Sequence, residues 1–158
     1  MAERGYSIEW KVYNSKDYGV PQNRERIYIV GYYGNRCTSG LLPIRKTNAA
    51  ILNQIIGGSQ GMRVYDPNNI SCTLSSLGGG MGAKTGLYKI VNPENQNIRI
   101  RKLTPKECWR LQGFSDTQYE KAAAVNSNSQ LYKQAGNAVT VNVVEEIGRH
   151  IMGVVADE

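Results

Sequence analysis

Cysteine, histidine and long apolar runs are all scarce in this chain of 158 residues. The three cysteines, Cys37, Cys72 and Cys108, show no CxxC spacing, and the single histidine, His150, lies far from each of them in sequence. That pattern argues against a disulfide framework and against a zinc site, and it leaves the cysteines as small buried or half-buried residues. No stretch approaches the roughly 20 apolar residues that cross a bilayer, so no membrane partner is expected. The opening residues, MAERGYSIEW, carry no apolar run of secretory type, and the chain reads as cytoplasmic.

What remains is an ordinary globular composition, 41% hydrophobic, with a formal net charge of +6. The length suits one domain, or one lobe and part of another. The positive excess tilts the expectation modestly towards a polyanionic partner, because neutralising phosphates releases counterions.

Along the chain, SIEWKVYN (residues 7–14) alternates Ile8, Trp10 and Val12 with polar residues and predicts a strand whose apolar face is buried. RIYIVGYY (26–33) predicts a second strand, antiparallel to the first across a polar connection with turn residues Asp17, Gly19 and Pro21. From residue 35 to about 101, glycine, asparagine and serine become frequent. MRVYD, SCTLSS, GLYKIV and NIRIRKL read there as short strands, and TNAAILNQIIGG as a short helix ending at Gly57. LTPKECWRLQGF returns to a helical period, with Thr104 as N-cap, Pro105 in the first turn, Glu107 completing a capping box and Gly113 as the stop. AVTVNVVEEIGRHIMG places Val139, Val143, Ile147 and Ile151 on one helical face and ends at Gly153.

GGGMGAKTG (78–86) resembles a phosphate-holding loop. A nucleotide loop of the Walker type needs glycine directly before Lys-Thr and a helix after it. Here Ala83 precedes Lys84, and GLYKIV follows with strand composition, so the nucleotide reading is rejected. The remaining readings are a flexible loop or a main chain that passes close to a nucleic-acid backbone.

Three blocks then carry a family resemblance. NSKDYGVPQNRERIYIVG (14–31), LTPKECWRLQGFSD (103–116) and YKQAGNAVTVNVVEEI (132–147) resemble, in order and spacing, the last three sequence blocks of the DNA cytosine-5 methyltransferases. SQGMRVYDPNNISCTLSSLGGGMGAKTGLY is similar to the target-recognition domain of the small bacterial members. The resemblance implies an α/β fold, part of an S-adenosylmethionine-dependent catalytic lobe plus a small β-rich recognition domain. Residues 1–34 would be strands of the lobe, 35–131 the recognition domain and 132–158 the returning helix. On this reading the chain is the C-terminal portion of such an enzyme, acting on double-stranded DNA at the nucleoid.

The family adds a cysteine thiolate to C6 of an extruded cytosine, and the charge that builds towards N3 and O2 needs fixed donors. The resemblance assigns Arg26 to the base O2, Arg24 to bracing the site and Gln22 to a supporting contact. It assigns Gln60 to the space vacated by the base, Arg63 to a guanine in the major groove, and Thr73 and Ser75 to phosphates. Gly79 and Gly80 would bring main chain close to the bases, with Lys84 reaching phosphate. Asn137, Ala138 and Val139 would line part of the S-adenosylmethionine pocket. Trp109 and Leu111 read as core and Arg110 as structural. An isolated RER would otherwise read as a solvated charged turn.

The family's nucleophile sits in a Pro-Cys pair, yet the cysteines here follow Arg36, Ser71 and Glu107. Its glycine-rich cofactor turn and its glutamate at N3 are not found either. The chain alone is therefore expected to be inactive and to pair with an N-terminal half that brings the thiol, or to self-associate through an exposed sheet edge. A non-enzymatic DNA-binding module is the competing reading; intact QNRER and QAGNAV favour the enzyme.

Overall fold

The computed structural model describes residues 5–34, 40, 42–43, 51–59, 61–75 and 86–156. Strands β1 (Tyr6–Asn14) and β2 (Glu25–Tyr33) form a two-stranded antiparallel sheet, in register from Tyr6 opposite Tyr33 to Asn14 opposite Glu25. A 3-10 turn over Ser15–Tyr18 leaves β1, its N-cap Asn14 accepting from the Lys16 amide and Gly19 closing it in the left-handed region at φ 83°.

The buried face of this sheet is the opposite of the one the alternation predicts. Tyr13, Tyr28 and Val30 pack with Tyr18, Leu42, Val143 and Ile147, so the core lies on the side of helix α4 (Val141–Ala156). Ile8, Trp10, Ile27 and Ile29 face outward, Trp10 and Ile29 each at 64% exposure. Period two fixes which residues share a face but not which face is covered. Polar residues on the inner face are tied up: Lys11 pairs with Glu9 at 2.9 Å and donates to the Leu42 carbonyl at 2.7 Å, and the Tyr13 hydroxyl donates to Pro43 at 2.6 Å. Burial pushes the Tyr13 phenol up to about 12, so it stays a donor at neutral pH.

A second sheet runs in the order β3 (Gln54–Ile56), β4 (Val64–Tyr65), β5 (Leu87–Val91), β6 (Ile98–Arg101), with only the β4–β5 pair parallel. Of the short helix expected over residues 47–58, the described part, 51–58, is not helical: Gln54–Ile56 pairs with β4 instead. Exposed isoleucines at 51, 55 and 56 give no buried helical stripe, and their β-branching suits a strand. Residues 71–75 form no strand among the described residues beyond one bridge, Ser71 with Gln22. Gly86 sits at φ +76°, where a Cβ would run into the Tyr65 ring, so the last glycine of the glycine loop is needed for close packing.

Helix α1 (Pro105–Leu111) starts as the sequence indicates, with Pro105 in its first turn and both halves of the Thr104–Glu107 capping box formed. Gly113 follows at φ +84°, and a side chain there would collide with Asn142. Two further helices were not foreseen: α2 (Asp116–Ala123) and α3 (Asn128–Asn137), with N-caps Ser115 and Ser127. Trp109, Cys108, Leu131, Ala135 and Leu74 form the second core, where the Trp109 indole donates to the Leu131 carbonyl at 3.0 Å. Gly136 lies inside α3, and α4 runs on past the expected stop at Gly153 to Ala156.

Candidate active site at the QNRER strand

PQNRER enters β2 between the two cores. Its first half is pinned to the segment before Thr73: Ser71 donates its amide to the Pro21 carbonyl at 2.7 Å, and Asn23 donates to the Ser71 carbonyl at 2.9 Å. Gln22 is thereby fully enclosed, 0% exposed, and both polar atoms of its side chain are buried without a partner among the described residues. Gln22 supports the segment from within and presents nothing to the surface.

Arg24 is buried as well, at 3% exposure. Its Nη1 donates to the Leu74 carbonyl at 3.0 Å, and its Nη2 to the carbonyls of Gly136 at 2.8 Å and Ala138 at 2.9 Å. Its own amide donates to Asn14 Oδ1 at 3.0 Å, and its carbonyl accepts from the Ser15 amide at 2.9 Å. Burial, then the neighbouring charge of Arg26, lowers its pKa to about 10, which still leaves it cationic at neutral pH. A charged donor held by peptide carbonyls in this way is a structural tie.

Arg26, two residues on, is exposed; its Nη1 donates to the Glu25 carbonyl at 2.6 Å. It lines a polar recess with Asn23, Glu25 and Thr73, and the Thr73 hydroxyl donates to the Asn23 carbonyl. Ser75 is half-buried close by in sequence. A larger groove of about 650 Å³, walled by Val20, Pro21, Ile70, Ile90, Leu103 and Leu111, does not include Arg26.

Asn137 is the last residue of α3, and Ala138 and Val139 follow it in the connection to α4. Asn137 and Val139 are exposed, and Ala138 is extended at φ −65° and ψ 155°, its carbonyl taken by Arg24. Arg63, directly before β4, is half-buried and donates from Nε to the Gly58 carbonyl at 3.1 Å. Gln60, Gly79, Gly80 and Lys84 lie outside the described residues.

Sequence reasoning missed a buried polar chain behind the two arginines. Gln112 is 0% exposed and donates to the Ala135 carbonyl at 2.7 Å. Its Oε1 accepts from the Thr140 hydroxyl at 3.0 Å, and Thr140 meets the Ser15 hydroxyl at 2.7 Å. Ser15 Oγ lies 3.3 Å from the Arg24 carbonyl. Three segments far apart in sequence therefore meet through side chains that must be satisfied once buried. The signal was present as polar residues inside otherwise apolar blocks, RLQGF and AVTVN.

The sequence model of the family described as C-5 cytosine-specific DNA methylase matches residues 1–55 and 42–153. The chain belongs to that family. It is 34% identical over 189 aligned residues to the Type II methyltransferase M.HhaI of Haemophilus parahaemolyticus, covering 96% of this chain and 55% of the relative. It is 30% identical to the Type II methyltransferase M2.ScrFI of Lactococcus lactis, covering 93% of this chain and 46% of that one. The S. pombe Dnmt2 methyltransferase structure matches over 98% of this chain and 60% of its own, with a TM-score of 0.70 at 14% identity.

That last likeness bears on the fold alone and agrees with the α/β class. The matches also correct the delimitation made from sequence, a C-terminal portion consisting of a recognition domain and three closing blocks. The matched model is that of the methylase itself, and its two matches together take in nearly every residue. The chain spans about half the length of the curated methylases it matches.

Proposed function

We propose that this methylase chain supplies DNA recognition and part of the active site for methylation of cytosine C5 in an extruded base. The observation that carries this reading is the split within one motif: Arg24 is committed to main-chain carbonyls, while Arg26 is exposed at a polar recess. Thiolate addition at C6 pushes electron density towards N3 and O2. A guanidinium at Arg26, held on a strand, suits the O2 position. Arg63, Thr73 and Ser75 fit contacts to base edge and phosphate, and Gln60, Gly79, Gly80 and Lys84 belong to the same DNA-facing set by resemblance.

Asn137 and Val139 stand exposed where α3 ends, an amide near an apolar side chain. This fits one edge of an adenosyl ligand, with Ala138 contributing backbone. S-adenosylmethionine supplies an electrophilic methyl group when bound. The recognition domain is assigned to residues 35–131, flanked by lobe segments 1–34 and 132–158, with α3 crossing the second boundary.

With no Pro-Cys pair among the 158 residues, the thiol comes from polypeptide outside them. The outward apolar face of β1 and β2, with Trp10, Ile27 and Ile29 each more than 60% exposed, suits its seat. The test mixes this chain with a methylase polypeptide carrying Pro-Cys and follows labelled methyl transfer from S-adenosylmethionine to duplex DNA. Transfer should need both components and should fall about 10²–10³-fold in kcat with Arg26→Ala. Turnover by this chain alone, or unchanged turnover by the variant, would refute the assignment. Duplex binding without transfer in the mixture would favour the non-enzymatic binding module.

A further inference from the structure

Arg24 joins two parts of the molecule through one rigid group. We infer that Arg24 is a positioning residue that couples the recognition-side segment at Leu74 to the cofactor-side helix end at Gly136–Ala138. Cofactor and DNA should then bind cooperatively. The inference rests on the proposed assignment of residues 137–139 to the cofactor and of 73–75 to DNA.

The two Nη atoms of a guanidinium sit at a fixed spacing in one plane, so a shift accepted at one is transmitted to the other. In Arg24, Nη1 holds Leu74, the residue between Thr73 and Ser75, whereas Nη2 holds Gly136 and Ala138, which bracket Asn137. The far end is equally fixed. The Arg24 main chain is held by Asn14 Oδ1 and by the Ser15 amide, so the side chain cannot follow one partner by sliding the strand. At 3% exposure, water does not replace a carbonyl that moves away. A cofactor that settles residues 137–139 therefore also settles Leu74, and with it the flanking DNA-facing residues. By linkage the effect is reciprocal. Lysine cannot substitute, because its ammonium is a single point on a flexible stem.

The experiment measures binding of S-adenosylhomocysteine, which carries no methyl group to transfer, and of a duplex selected by this protein from a randomised pool. Each is titrated with and without the other, using the methylase assembled with its thiol-bearing polypeptide. Each ligand should tighten the other about five-fold or more, by the same factor in both directions. In Arg24→Lys that factor should fall to about one while each ligand alone still binds. Independent binding of both ligands to the wild type overturns the coupling and leaves the site assignment standing. Failure to bind either ligand overturns both. A second readout needs no variant: S-adenosylhomocysteine, without DNA, should shift the amide NMR signals of Thr73, Leu74 and Ser75. Unmoved signals at a saturated cofactor site overturn the inference.

Discussion

Glu107 offers a quantitative test of how the second sheet is tied to the helices. Its carboxylate receives two bonds from Arg101 at the end of β6, both 2.8 Å, and completes the capping box at the Thr104 amide at 2.7 Å. The Arg101 bonds come first among the causes that hold its pKa down, from the usual 4.5 to about 2, against the opposing pull of burial. Taken whole, that displacement corresponds to roughly 3 kcal/mol at ~1.36 kcal/mol per pH unit. Both side chains are a third exposed, and solvent screening reduces the figure to about 1–1.5 kcal/mol. Because the folded pKa is the lower one, this stability is present above about pH 4.5 and is lost as pH falls towards 2. Glu107→Gln keeps one oxygen able to close the capping box and removes the charge together with one of the two acceptors used by Arg101. Urea unfolding at pH 7 should find the variant less stable by about 1–1.5 kcal/mol, with the gap closing as pH drops below about 4.5. A gap that stays constant across this range, or that is absent at neutral pH, would refute the linkage argument.

Other expectations are simpler. Arg63→Ala should relax base choice at one position of the recognised site by about 1–3 kcal/mol; an equal loss of affinity for every sequence would make Arg63 a phosphate contact. Thr140→Val removes a hydroxyl joined to Gln112 and Ser15 and should cost about 1–3 kcal/mol in denaturant unfolding, with Thr140→Ser recovering most of it. Trp10→Ser with Ile29→Thr should leave the melting temperature of this chain nearly unchanged, since both side chains are largely exposed. The pair should weaken association with the thiol-bearing polypeptide in sedimentation; unchanged association would place that seat elsewhere.

Local signals were read well where one short segment contained all the information. The Thr104–Glu107 capping box, with Pro105 after it and Gly113 beyond, is formed as the residues predict. α2 went unread because none of its residues is fully buried and its inner face, Tyr119, Ala122 and Ala123, is only weakly apolar, although Ser115 and Gln118 form a second capping box that was open to the same reading. What local pattern cannot supply is the identity of the covering surface. Ile8, Trp10 and Val12 form a correct strand face, but α4 and the Leu42–Pro43 strap cover the other one. Likewise 54–56 has too little length for its period to separate helix from strand, and pairing with Val64–Tyr65 decides it.

The site shows the same limit at finer scale. Two arginines separated by one residue lie on one side of an extended chain, and alternation alone would give them the same surroundings. They differ because β2 begins only at Glu25, so Arg24 belongs to the pinned segment before it. There the nearest acceptors are main-chain carbonyls at a helix end and in a loop, and a side chain with fewer donors would leave some of them unpaired. Arg26 is already on the strand, past the reach of those carbonyls, and its charge is left for the recess it shares with Thr73. The motif therefore requires arginine twice for different reasons, the first for its several donors in a fixed plane and the second for an exposed cation at the recess. Lysine should be tolerated better at 26 than at 24, because a single charged donor can still meet one oxygen but cannot hold three.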